Sequence, residues 1–160
     1  MNRKPAILFV CLGNICRSPL AEAAFRRAAT AAGLDVDADS VGTAAYHIGE
    51  PPDPRSVREA AKHGIDISAY QGRQLEMADF ARFTHIFAMD HANLANIRAA
   101  APPETKAEIA LLLDAVPGRE GAAIADPYYD GEENFADTWE DAQMAAEAIA
   151  ARLKTDCPQA

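Results

Sequence analysis

Residues Ala6-Ile7-Leu8-Phe9-Val10-Cys11-Leu12-Gly13-Asn14-Ile15-Cys16-Arg17-Ser18-Pro19 decide how this chain is read. Ile7 to Val10 is a continuous apolar run, the pattern of a strand buried on both faces. Ser18 and Pro19 read as a helix start, with a serine N-cap and a proline at the first helical position. Beyond them Leu20, Ala21, Ala24, Phe25, Ala28 and Ala32 recur at helical spacing, and Gly33 supplies a C-terminal stop. The segment between is thus a loop joining a strand end to a helix N-terminus. Backbone N–H groups point outward there and the helix dipole favours an anion.

A Cys-x5-Arg spacing alone is weak, because chains of this size carry such pairs by chance. Its position in a strand–loop–helix unit gives each residue a reason. Gly13 and Asn14 are expected at positive φ, so that successive amides curl round one anion. Cys11, at the strand end, falls under that bowl, and electropositive surroundings favour the thiolate, the nucleophilic form. Arg17 offers a planar fork for two phosphate oxygens, and Ser18 a hydrogen bond to the sulfur. The pattern implies transfer of a phosphoryl group to sulfur and then to water. The bland alternative is an inert buried cysteine beside a surface arginine.

Expelling a phenolate, whose conjugate acid has a pKa of ~10, needs a proton donor at neutral pH. Asp126-Pro127-Tyr128-Tyr129-Asp130-Gly131 supplies a candidate. Pro127 stiffens the loop beside Asp126, and Tyr128 and Tyr129 form an aromatic wall for a substrate ring. Asp126 acts first as acid and then as base for the water that cleaves phosphocysteine. Taken alone, this segment reads as a turn with a surface aspartate.

The two motifs, Val10 through Pro19 and Asp126-Pro127-Tyr128-Tyr129, resemble those of the low-molecular-weight protein tyrosine phosphatases. Further similarity lies at Gly49 with Pro52-Asp53-Pro54-Arg55-Ser56, at His63-Gly64-Ile65, at Arg73-Gln74-Leu75, and at Met89-Asp90 with Asn93. The resemblance implies an α/β three-layer sandwich, a four-stranded parallel sheet with helices on both faces, in one domain over residues 1–160. It implies Cys11 as nucleophile, Arg17 as transition-state clamp and Asp126 as general acid and base. Leu12, Gly13, Asn14, Ile15, Cys16 and Ser18, with Tyr46, Tyr128 and Tyr129, are then the expected substrate-binding residues. The resemblance also implies that Asn14 and Ser40 hold the loop, and that Cys16 forms a reversible disulfide with Cys11. The expected partner is a phosphotyrosine protein or peptide, the product is phosphate, and no metal or other cofactor is expected.

Three positions depart from the family pattern. Tyr46 stands where a tryptophan is frequent, Ala69-Tyr70-Gln71-Gly72 lacks a histidine that many members carry before the Arg-Gln pair, and Asp130 intervenes before Gly131. They bear on cleft charge and substrate preference. Relatives specific for phosphoarginine carry threonine where Ile15 stands, and Ile15, Tyr128 and Tyr129 all argue against that substrate. Arsenate reduction would need a relay of further cysteines, and only the terminal Cys157 follows. A phosphate-binding module without catalysis is the remaining reading, and nothing in Cys11, Arg17 or Asp126 motivates it.

The remaining composition fits a cytoplasmic enzyme. A net charge of −9 argues against nucleic acid and anionic membranes as partners. No apolar run is long enough to span a bilayer, and with Met1-Asn2-Arg3-Lys4-Pro5 leading into the first strand-like run no signal peptide is expected. Three cysteines are too few for a disulfide scaffold, and Cys11-x4-Cys16 with Cys157 is a poor zinc site. The four histidines show no metal-ligand spacing, and His63 reads as a dipole partner at a helix C-terminus. Further along, strands are expected at 36–43, 84–89 and 109–113. Helices are expected from Pro54 to about Ile65, over 75–83, from Leu94 to Ala101, and from Trp139 to Leu153. Residues 117–135 read as a long loop.

Overall fold

A computed structural model of the chain describes residues 4–156. The first strand, β1 (Ala6–Cys11), is followed by α1 (Arg17–Ala31) and β2 (Asp37–Gly42). Then come α2 (Pro54–Lys62), the single turn α3 (Asp79–Arg82), β3 (His85–Ala88), α4 (His91–Ala100) and β4 (Glu108–Leu111). A 3₁₀ turn at Leu112–Ala115 and the long helix α5 (Glu133–Asp156) complete the chain.

The strands form one parallel sheet in the order β2-β1-β3-β4. Alternation along β1 divides the core in two. Ile7, Phe9 and Cys11 pack with Leu20, Phe25, Trp139 and Ile149 of α1 and α5, whereas Leu8 and Val10 pack with Phe80, Phe83 and Ile97 on the opposite face. Helices therefore cover both faces, as the double-sided apolar runs require. The chain leaves β1 towards β2 on one side and later returns to β3 on the other. That reversal opens a crevice at the carboxyl ends of β1 and β3, the place where open α/β sheets bind ligands. Cys11 stands at the end of β1, and Asp90 follows β3.

Several local expectations are corrected. Helix α1 begins at Arg17 with Cys16 at the N-cap, and Cys16 makes no capping hydrogen bond. Ser18 is not the cap, because its hydroxyl is engaged with Cys11 Sγ and Asn14. The helix expected over 75–83 shrinks to α3. Residues 73–75 instead extend the sheet beside Gly42, through Gly42 N to Arg73 O (2.8 Å) and Leu75 N to Gly42 O (2.9 Å). Strand β4 stops at Leu111, where Asp114 Oδ2 accepts the Leu111 amide and turns Leu112 and Leu113 into the 3₁₀ turn. Both leucines are buried in the turn, and a short apolar run does not by itself separate a strand from such a turn. Helix α5 also begins earlier than Trp139, at Glu133.

Other expectations hold. Asp53 caps α2 by accepting the Arg55 amide, with Pro54 at the first position. Gly33 and Gly64 take positive φ just past α1 and α2. His63 caps the end of α2, approaches Glu59 Oε2 at 2.9 Å and stacks on Trp139 at 4.3 Å. Trp139 is a core residue. No described helix is long and apolar enough to cross a membrane, and Cys157 lies outside the described residues.

Candidate active site

The loop from Leu12 to Cys16 turns sharply enough that Asn14 adopts φ +60°, the only non-glycine at positive φ among the described residues. Such a conformation costs energy unless the surroundings hold it, and here three partners do. Asn14 Oδ1 accepts the Arg73 amide (3.0 Å), and its Nδ2 donates to Ser18 Oγ (2.9 Å) and Ser40 Oγ (3.0 Å). The Asn14 amide is thereby turned inward and donates to Cys11 Sγ at 3.3 Å. Ser18 Oγ accepts from Asn14 and lies 3.1 Å from the same sulfur. A thiolate there is met by an amide and a hydroxyl, both held from behind.

Gly13 does not take positive φ, contrary to the expectation. Its lack of a side chain serves packing instead, since a Cβ would come within 3.0 Å of the His47 ring. A stricter demand falls on Gly42 at the end of β2. A Cβ there would lie 2.7 Å from Leu12 O and 3.0 Å from Gly13 C, so the back of the loop rests on bare backbone.

The support runs deeper than Asn14 and Ser40. Ser40 Oγ donates to Glu22 Oε1 at 2.8 Å, and Glu22 is buried in α1. Burial pushes the Glu22 carboxyl above its ordinary range, while hydrogen bonds from Arg26 and Ser40 pull the other way. Arg73 is spanned by Asp39 and Asp79, so the amide that fixes Asn14 belongs to an anchored residue. Sequence reasoning missed Glu22 and Arg73 in these roles. A carboxylate among the alanines of α1 was the available signal.

Arg17 is 3% exposed. Its Nη1 donates to Asp90 Oδ2 at 2.6 Å and to Ile124 O at 2.9 Å, leaving Nη2 directed towards Asp126 Oδ2 at 3.6 Å. Asp90 is itself fixed, because its Oδ1 caps α4 through the Asn93 amide. Its role, too, was not legible from spacing. Asp126 is partly exposed, and its Oδ1 accepts the Tyr128 amide (3.0 Å), so Oδ2 is the oxygen that faces the cleft arginine.

These groups share one cleft of about 170 Å³. Cys11, Leu12, Gly13, Ile15, Cys16 and Arg17 line it, and Tyr46, Asp126, Tyr128 and Tyr129 form its outer part. Asn14 and Ser18, also expected among the substrate-binding residues, stand behind that lining, bonded to each other and to Cys11 Sγ. His47 joins the wall and was not anticipated; its Nδ1 lies 2.6 Å from Glu50 Oε2. Tyr128 and Tyr129 meet edge to face at 4.9 Å, with Tyr129 94% exposed. The Cys16 thiol is buried, and burial, followed by the nearby Asp53 carboxylate, pushes its pKa far above the ordinary thiol range. Cys11 and Cys16 are both free thiols.

The arrangement can hold a tetrahedral oxyanion beside the Cys11 sulfur and the Arg17 guanidinium, with the Asp126 carboxyl in the same cleft. The family model described as low molecular weight phosphotyrosine protein phosphatase matches residues 6–159. A low molecular weight phosphotyrosine protein phosphatase of Schizosaccharomyces pombe is 42% identical over 142 residues, which cover 87% of this chain and 90% of that protein. The crystal structure of YfkJ from Bacillus subtilis matches with a TM-score of 0.89 at 35% identity, covering 98% of each chain. That of DARP, a drosophila arginine phosphatase, matches with a TM-score of 0.87 at 32% identity, covering 94% of this chain and 98% of the other.

Proposed function

Since the chain belongs to the low molecular weight phosphotyrosine protein phosphatases and is a protein tyrosine phosphatase, we propose that it hydrolyses phosphotyrosine through a phosphocysteine on Cys11. The observation that carries this reading is the sulfur itself: the Asn14 amide and Ser18 hydroxyl converge on Cys11 Sγ in the same cleft as Arg17 and Asp126.

The phosphate enters with its oxygens on the loop amides and on the Arg17 fork. Cys11 thiolate attacks phosphorus in line, and the bond to the phenolic oxygen breaks as Asp126 Oδ2 delivers its proton to that oxygen. Charge on the three equatorial oxygens is met by donors already in place, so little reorganisation is needed. Asp126, now a carboxylate, takes a proton from a water that attacks the phosphocysteine. The S–P bond breaks, phosphate leaves, and the Ser18 hydroxyl stabilises the departing sulfur. Tyr46, Tyr128 and Tyr129 present aromatic faces to the substrate ring and its flanking residues. An enzyme that depends on an unpaired thiol works where thiols stay reduced, which suits the cytoplasm.

Phosphate release from phosphotyrosine, phosphoserine and phosphoarginine peptides tests the substrate class, with Cys11→Ser as the blank. Release from the phosphotyrosine peptide alone is expected, and faster release from phosphoarginine would overturn the assignment. Asp126→Asn tests the acid. It should slow phenyl phosphate by about 10²-fold or more, and p-nitrophenyl phosphate, whose leaving group needs little help, far less. Equal losses on both substrates would remove Asp126 from that role.

Cys16 gives the nucleophile a reversible refuge from oxidation. Peroxide converts Cys11 thiolate to the sulfenic acid with release of hydroxide, and the Cys16 thiol then condenses with it, expelling water and forming the disulfide. Mild peroxide should therefore leave a protein lighter by two hydrogens whose activity returns with a thiol reductant. In Cys16→Ser the same treatment should proceed to irreversible loss. Reversible inactivation without that mass change would exclude the disulfide.

A further inference from the structure

We propose that Arg55 is a positioning residue for Asp126, holding the acid loop at a fixed distance from the nucleophile; this rests on the reading of Asp126 as general acid. Arg55 sits in the first turn of α2, and its guanidinium spends its donors in two directions. Towards its own helix, Nε donates to Asp53 Oδ1 (3.0 Å) and Nη2 to Asp53 Oδ2 (2.9 Å), a two-point pair. Towards the loop, Nη1 donates to Asp130 O (3.1 Å) and Nη2 to Tyr128 O (2.8 Å). The same guanidinium lies over the Phe135 ring at 4.6 Å and near the Tyr128 ring at 5.7 Å.

Residues 116–132, between the 3₁₀ turn and α5, contain no helix or strand, so nothing periodic fixes Asp126. Ile124 N bonds to Met89 O at one end, and Glu132 pairs with Arg58, one turn along α2, near the other. Among the described residues, the hydrogen bonds that join 126–130 to the rest of the chain come from Arg55. They act in series with the acid: Arg55 holds the Tyr128 carbonyl, and the Tyr128 amide holds Asp126 Oδ1. The start of α2 grips the nucleophile loop as well. Asp53 N donates to Ile15 O (2.8 Å), and Ser56 Oγ donates to Cys16 O (3.2 Å). One helix end therefore sets the separation between sulfur and acid. That separation matters because proton transfer needs hydrogen-bond reach, and a misplacement of about 1 Å costs up to ~10²-fold. The job demands arginine, since an ammonium cannot pair with a carboxylate at two points and still reach two carbonyls.

The test compares kcat/KM for aryl phosphates, from p-nitrophenyl to phenyl phosphate, in wild type, Arg55→Met, Arg55→Lys, Asp126→Asn and the Arg55→Met/Asp126→Asn double variant. Both Arg55 variants should lose about tenfold on phenyl phosphate and under about threefold on p-nitrophenyl phosphate. Competitive inhibition by inorganic phosphate should be unchanged within about twofold, because the bowl is held by Asn14 and Arg73. The double variant should be no slower on phenyl phosphate than Asp126→Asn alone, since Arg55 acts through that carboxyl. Equal losses across leaving groups, or multiplied losses in the double variant, would overturn the proposal. Should Arg55→Met not fold, Arg55→Lys, which keeps a cation beside Asp53, decides the matter by the same comparison. If Asp126→Asn itself shows no leaving-group dependence, the acid reading falls and this inference with it. If Asp126→Asn shows it and the Arg55 variants do not, this inference alone fails.

Discussion

Replacing Cys11 by serine is expected to reduce phosphate release from any aryl phosphate by at least ~10⁴-fold while leaving affinity for inorganic phosphate within about threefold of wild type. The two halves of that result have separate physical origins. An alcohol at this position is a far weaker nucleophile at neutral pH than a thiolate, and among the described residues no histidine or carboxylate hydrogen-bonds Cys11 Sγ that would act as base for a hydroxyl. The bowl, by contrast, does not depend on the sulfur for its shape. Asn14 is fixed by Arg73, Ser18 and Ser40, and the loop rests on Gly42. Serine is close in size to cysteine and still accepts the Asn14 amide. Titration calorimetry with phosphate gives the affinity, and release from phosphotyrosine peptide gives the rate. Activity retained in Cys11→Ser would remove the phosphocysteine from the mechanism. Lost activity with lost affinity would mean that the sulfur organises the bowl.

The difference between scaffold and sulfur also explains how much of the site the sequence discloses. Most of the residues proposed to carry the chemistry lie in one short segment: Cys11 to Ser18 is a strand end, a loop and a helix start, and Asp126 alone comes from a distant loop. The doubly covered sheet is legible for a similar reason, since Ile7 to Val10 has no polar residue to offer a solvent face. What the sequence hides is contact between segments far apart in the chain. Gly42 lies beside Leu12 and Gly13 only because β2 pairs with β1, and its missing side chain looks like that of any strand-end glycine. Asp90 stands out only in the family similarity; it caps α4, and its second oxygen meets Arg17 through the pairing of β3 with β1. Arg55 looks like one charge beside its neighbour Asp53, although its two loop partners are 73 and 75 residues away. Periodicity and capping rules act over a few residues, so they find elements and fail at such couplings. The helix expected over 75–83 failed at its start in the same way: Leu75 bonds to Gly42, and the helix forms only over Asp79–Arg82.

Arg17→Lys keeps the positive charge, yet kcat/KM is expected to fall by about 10²- to 10³-fold, with weaker phosphate binding as well. The reason lies in how the guanidinium is shared. Nη1 is committed to Asp90 Oδ2 at 2.6 Å and to Ile124 O at 2.9 Å, while Nη2, on the other limb, faces the cleft. A planar fork satisfies the half-buried Asp90 carboxylate and the substrate together. An ammonium is a single point, and the fixed Asp90 carboxylate would capture it, drawing the charge away from the phosphate. The transition state then loses both a donor pair and much of the field that opposes charge on the equatorial oxygens. Asp90→Asn in the lysine background discriminates this account from simple loss of a donor. Removing the competing carboxylate should return part of the phosphate affinity, read as the inhibition constant of inorganic phosphate, but little of the rate, because the fork stays absent. A lysine enzyme within about threefold of wild type in kcat/KM would show that the cleft needs only a positive charge at that position.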